Sequence, residues 1–178
     1  MNLIEIVPIL FLLVILPIAA IYDLRFHKIP NWLTFPTMAA GIAFYTYMKG
    51  TKGLIFSVEG LLLGMAFFIV FYVCAGMGAG DVKLMGAIGS MLGPEGVFTA
   101  FLGTALVGSI YAIILLKLHG RLKETVKRYG EILKGFLFTW KFIYLPPEEG
   151  TKLPVLSYGI AIAIGTLFSI IMKNIFCA

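Results

Sequence analysis

The fold class this sequence predicts is all-α: a polytopic membrane protein with six transmembrane helices and a cytoplasmic amphipathic helix between helices five and six. Three observations predict it. The 178 residues are 60% hydrophobic and only 13% charged, with a mean hydropathy of +0.99, whereas soluble domains carry about 25% charged residues. The apolar residues fall into six runs, at about 3–22, 32–48, 54–75, 82–93, 96–118 and 154–176, each bounded by polar, Gly or Pro residues. The basic residues then sort to one side of those runs. Six spans of roughly 20 residues with short loops use up the chain, so residues 1–178 are expected to form a single membrane-embedded domain.

The first run is expected to remain as a membrane helix. It has no basic leading region and no small-residue cleavage site, and it is longer than the apolar stretch of a signal peptide. Pro30 and Asn31 read as the breaker and N-cap that open the second span, so Asp23 stands at the mouth of a tight helical hairpin. The third run carries one acid, Glu59, about five residues inside its outer boundary. The fourth, "VKLMGAIGSMLG", is short: twelve residues at 1.5 Å each reach only ~18 Å, against a hydrocarbon core of ~30 Å. A re-entrant loop is the alternative there.

Lysine and arginine arbitrate. If all six runs span, Arg25, Lys28, Lys83 and the eight basic residues from Lys117 to Lys152 share one side, and Lys49, Lys52 and Lys173 lie opposite. A turn-back at the fourth run would move the loop with those eight across, against the positive-inside bias. The reading is therefore six spans in the cytoplasmic membrane with both termini outside. The net charge of +5 records this sidedness rather than nucleic-acid binding. After the fifth run, residues 120–141 place Leu122, Val126, Tyr129, Leu133, Phe136 and Trp140 at steps of three and four, the pattern of a helix lying on the membrane surface. "YLPPEEGTKLP" ends it, since its prolines cannot continue a helix. Cys74 and Cys177 lie in different runs without a CxxC spacing, so neither a disulfide nor a zinc site is expected.

With this topology Asp23 closes span one and Asp81 opens span four, at matching depth on the cytoplasmic side. Ionisable groups at membrane level are costly to bury and are functional candidates by default. In "GAGD", Gly78 and Gly80 permit close approaches that a side chain would block and leave Asp81 at a helix N-terminus, where the dipole favours a carboxylate. Lys83, two residues beyond Asp81, projects in a different direction and is expected to assist rather than to react. The chain has no GK[ST] phosphate loop, no G-x-G-x-x-G, no G-x-S-x-G and no HExxH, which disfavours nucleotide, serine and metal chemistry. No cofactor and no metal are expected. Two carboxylates and water remain, the equipment of an aspartyl protease, in which a close acid pair shares a proton because adjacent like charges resist joint ionisation.

These residues resemble a family, the type IV prepilin and preflagellin peptidases, intramembrane aspartyl proteases of the GxGD type. Asp23 to Asn31, with "IPN", is similar to the family's first catalytic block; "GAGDVKLMGAIG", Gly78 to Gly89, is similar to its second; "LPVLSYGIAIAIG", Leu153 to Gly165, resembles the segment opening its last span. The resemblance implies that Asp23 and Asp81 are the catalytic pair, supported by Gly78, Gly80, Lys83, Pro30 and Asn31. It also implies that the substrate is a prepilin or prepilin-like protein, whose short basic leader is removed at the cytoplasmic face. Longer members also N-methylate the new end with a cysteine-bearing cytoplasmic domain. This sequence is similar to the short, peptidase-only form. The alternative from another class is a small transporter or channel using intramembrane carboxylates, with Glu59 as a candidate ligand.

Overall fold

A computed structural model describes residues 3–73, 77–120, 127 and 157–176. Every regular element among the described residues is an α-helix: α1 Leu3–Phe26, α2 Asn31–Val73, α3 Ala79–Leu118 and α4 Tyr158–Phe176. The helical class is as expected. Where the sequence predicted six separate runs, however, two of the four helices are long and bent. α2 runs 43 residues with a non-helical residue at Gly50 (φ 60°, ψ −139°), and α3 runs 40 residues with one at Gly93 (φ 73°, ψ −175°). These are conformations essentially reserved for glycine, and they fall between the second and third apolar runs and at the end of the fourth. Pro94 follows the second break, where its fixed φ and missing N–H suit the first position of a new helical stretch.

At Gly50 the chain folds back. The Tyr45 and Phe56 ring centroids are 4.9 Å apart, whereas eleven residues of straight helix would separate them by ~16 Å along the axis. The same Phe56 ring lies over Gly93, and the Tyr45 hydroxyl donates to the Met91 carbonyl at 2.9 Å. The two breaks therefore lie together at one end of the helices.

By length and composition, Ile6–Phe26, Asn31–Val73 and Ala79–Leu118 are apolar enough to cross a membrane, and Tyr158–Met172 is a shorter apolar helix. The first stretch of α3 is the hub. Leu84, Met85, Ala87 and Ile88 are wholly buried, with Val82, Met91 and Leu92 nearly so, while Leu10, Val14, Leu62 and Val70 on α1 and α2, and Leu106 in the second stretch of α3, are exposed. The run that looked too short is thus the one enclosed by protein, and its neighbours carry the outward apolar surface that lipid would cover. Close packing around it uses small residues: Cβ atoms added at Gly60 and Gly89 would each meet the other's carbonyl oxygen, so here the backbones touch. Buried hydroxyls are satisfied along their own helices, as in Thr37 to Leu33 and Thr104 to Ala100, both 2.7 Å, or across them, as in Ser57 to the Ser90 carbonyl at 2.8 Å.

By contacts the chain forms two units, Met1–Gly108 with Ser157–Ala178, and Ser109–Leu156. The first holds both aspartates. Of the second, the described part is the end of α3, the turn at His119 and Gly120, and Lys127. Apart from Gly120 and Lys127, the amphipathic helix expected at 120–141 lies outside the described residues.

Candidate active site

Asp23 lies in the last turn of α1. The helix ends because His27 takes a left-handed conformation, φ 49°, while its N–H still donates to the Asp23 carbonyl at 2.8 Å; a left-handed residue just past the last turn is a common helix stop. The Pro30 carbonyl then accepts from the N–H groups of Leu33, 3.1 Å, and Thr34, 3.4 Å, which makes Pro30 the capping residue and puts Asn31 in the first helical position. This corrects the expectation that Asn31 is the N-cap. Its side chain is engaged elsewhere: Asn31 Oδ1 accepts from Lys83 Nζ at 2.9 Å, and the same ammonium lies 5.1 Å from the centre of the Phe35 ring.

Asp81 occupies the third position of α3, after Gly78 as cap. Its N–H donates to the Gly78 carbonyl at 3.1 Å, and its Oδ2 accepts from the Gly78 N–H at 3.0 Å. An acid at the third position reaching back to the cap's N–H is half of a capping box. The two glycines differ. A Cβ at Gly80 would stand 3.0 Å from Ile29 Cβ and 3.2 Å from Ile29 N, so the absent side chain lets the start of α3 lie on the Ile29–Asn31 linker. At Gly78 the nearest atom would be Asp81 Oδ2 at an ordinary 3.5 Å, and its φ is not positive. Crowding enforces glycine at position 80 and not at 78.

The third contributor is α4. The Gly159 N–H donates to Asp23 Oδ2 at 2.7 Å, and a Cβ on Gly159 would come within 2.8 Å of Asp23 Cβ. Two residues earlier, Ser157 Oγ lies 3.3 Å from His27 Nδ1. Each aspartate thus accepts one backbone N–H from the first turn of a helix, Asp81 from its own and Asp23 from one 136 residues away in sequence. Helix N-termini favour such anions.

Asp23 and Asp81 are each 6% exposed and, among the described residues, are the only charged side chains in the buried set. They lie near enough that the charge of one acts on the other. Of the other predicted site residues, Gly78 bonds Asp81, Gly80 packs on Ile29, and Lys83 bonds Asn31. Glu59 lies elsewhere: it is exposed, next to Gly60, which packs on Gly89 and Gly93, away from the aspartates. Among the described residues no three His, Cys, Asp or Glu side chains converge as metal ligands. Gly159, Ser157 and His27 were not singled out as site residues. Their only trace in the sequence is Ser157–Tyr158–Gly159 after the proline-rich break, which reads as a helix start without showing what that start touches. Two carboxylates this enclosed, each with one oxygen held by a backbone donor, keep a second oxygen with which to accept or give a proton.

A family model described as the type IV leader peptidase family matches residues 10–113. Among curated proteins the chain is similar to three prepilin leader peptidase/N-methyltransferases. That of Xanthomonas campestris pv. campestris is 31% identical over 117 residues, 62% of this chain and 41% of the relative. That of Bacillus subtilis is 30% identical over 123 residues, 67% of this chain and 48% of the relative, and that of Aeromonas salmonicida 32% over 109 residues, 57% and 38%. The matched region thus spans less than half the length of each relative. No solved structure matches the chain significantly.

Proposed function

The chain belongs to the type IV leader peptidase family, and from that premise we propose that it is an intramembrane aspartyl endopeptidase that removes the short basic leader of a prepilin or prepilin-like protein at the cytoplasmic face of the membrane. The observation that carries this reading is that the two buried aspartates, 58 residues apart in sequence, each accept a backbone N–H at the start of a helix. One carboxylate takes a proton from water as its oxygen attacks the scissile carbonyl carbon, and the other gives a proton to the carbonyl oxygen. Collapse of the resulting diol sends a proton to the departing amide nitrogen as the C–N bond breaks, and the pair is restored. No cofactor is needed for these steps.

Six spans are part of this reading. The kinks at Gly50 and Gly93 divide α2 and α3 into stretches nearer to bilayer thickness, since an unbroken 43-residue helix would be ~65 Å long. Arg25, Lys28 and Lys83 lie at the aspartate end, the side that the positive-inside bias assigns to the cytoplasm. Transport is the weaker reading, because its ion ligands belong near the bilayer middle and Glu59 is exposed.

The test is co-expression with candidate prepilins, scoring loss of the leader on a gel. Asp23→Asn and Asp81→Asn, each shown to be folded and inserted, should each lower the rate at least ~100-fold, and the double variant little further, as members of one catalytic unit do. Serine-protease and metalloprotease inhibitors should leave cleavage intact. A folded single asparagine variant that cleaves at near the parent rate would sink the aspartyl assignment.

A further inference from the structure

Resting on the peptidase reading above, we propose that His27 is a positioning residue, which holds the first turn of α4 on Asp23 through its hydrogen bond to Ser157. The Asp23 carboxylate accepts from the Gly159 N–H at 2.7 Å. That donor belongs to another helix and must be brought to the acid from outside α1. Two polar contacts hold the α4 start here: Gly159 on Asp23, and Ser157 Oγ on His27 Nδ1 at 3.3 Å. They flank Tyr158 on one side and lie one turn apart on the other, since His27 follows Asp23 by four residues and its N–H closes the last turn on the Asp23 carbonyl. Two fixed points one turn apart bear on both the position and the rotation of the α4 start.

The junction has little slack. A Cβ at Gly159 would come within 2.8 Å of Asp23 Cβ and 2.9 Å of its Oδ2, so α4 already lies in backbone contact with the acid, and a shift of a few tenths of an ångström changes the hydrogen bond that orients it. Ser157 is 2% exposed, which suits an anchor and not a nucleophile. His27 is exposed and has φ 49°, a conformation uncommon outside Gly but more accessible to His, Asn and Asp than to most residues. That conformation aims the ring back along the end of α1 toward Ser157.

The left-handed backbone and the side-chain bond can be separated by substitution. His27→Gly keeps the backbone conformation and loses the ring. His27→Asn keeps the conformation and places a polar atom close to where Nδ1 stands. Ser157→Ala removes the other partner. The readout is cleavage of a prepilin by the full chain in detergent or vesicles, with kcat and KM separated and the thermal midpoint followed in parallel. His27→Gly and Ser157→Ala should each lower kcat by about three- to tenfold, the range of one hydrogen bond, with KM within about twofold because neither touches substrate. The double variant should fall no further than either single one, and His27→Asn should recover most of the rate lost in His27→Gly. Two results overturn the proposal while leaving the peptidase reading in place: His27→Gly at the parent kcat, or His27→Asn as slow as His27→Gly while Ser157→Ala is unaffected. A parent protein that cleaves no prepilin removes the peptidase reading and the positioning role with it.

Discussion

At the scale of single residues, the site is built from side chains that are small or absent as much as from those that react. A Cβ at Gly80 would crowd Ile29 at 3.0 Å, whereas one at Gly78 has ordinary room. The same substitution should therefore part them. Gly80→Ser should lower the thermal midpoint by the equivalent of about 1–3 kcal/mol, the usual cost of overpacking; Gly78→Ser, with serine a good cap, should stay within a few tenths. Equal losses would mean that the GxGD glycines act as a unit. Lys83 and Asn31 make a second testable pair. The hydrogen bond between them, 2.9 Å, joins the linker after Asp23 to the helix of Asp81. A double-mutant cycle of Lys83→Met and Asn31→Leu should give a coupling of about 0.5–1.5 kcal/mol in unfolding free energy, and additive effects would show the bond to contribute nothing. The expectation that Lys83 assists acquires a concrete form here: it holds Asn31, not Asp81.

At the scale of helices, the breaks at Gly50 and Gly93 look alike in sequence and differ in their surroundings. Both have positive φ, so alanine at either should cost about 1–3 kcal/mol through the backbone alone. Nothing lies within 4 Å of a Cβ at Gly50, but one at Gly93 would overlap the Phe56 ring. Gly93→Ala should consequently lower the unfolding midpoint clearly more than Gly50→Ala in the same detergent, and the reverse order would mean that the Phe56 contact is readily given up. The sequence located these breaks because six apolar runs with Gly and Pro between them leave few other places for a turn. It could not rank them, because Phe56 reaches Gly93 across space and not along the chain. The fourth run can be short for a physical reason: length against bilayer thickness matters for a helix in lipid, and the first stretch of α3 is enclosed by its neighbours.

At the scale of the whole molecule, the six-span reading makes a directional prediction. Single cysteines at Lys28 and at Lys117 should react with a membrane-impermeant thiol reagent from the cytoplasmic side, and at Tyr47 and Glu95 from the outside, because all four side chains are exposed and the positive-inside bias places the first two inside. Labelling at Glu95 from the same side as Lys28 would refute six spans. Composition, the six apolar runs, the asymmetry of Lys and Arg and the two acid blocks were set by the sequence alone, since each is a pattern of neighbouring residues read against the solvent, the helix period or the rules of helix ends. What only the tertiary structure decided is which groups meet: Gly159 on Asp23, Ser157 on His27, Lys83 on Asn31, Gly80 on Ile29. These contacts join residues separated by tens to more than a hundred positions, and local propensity holds no record of them. They follow from helix backbones packing closely enough, through glycine, that an N–H at the start of one helix reaches an acid at the end of another.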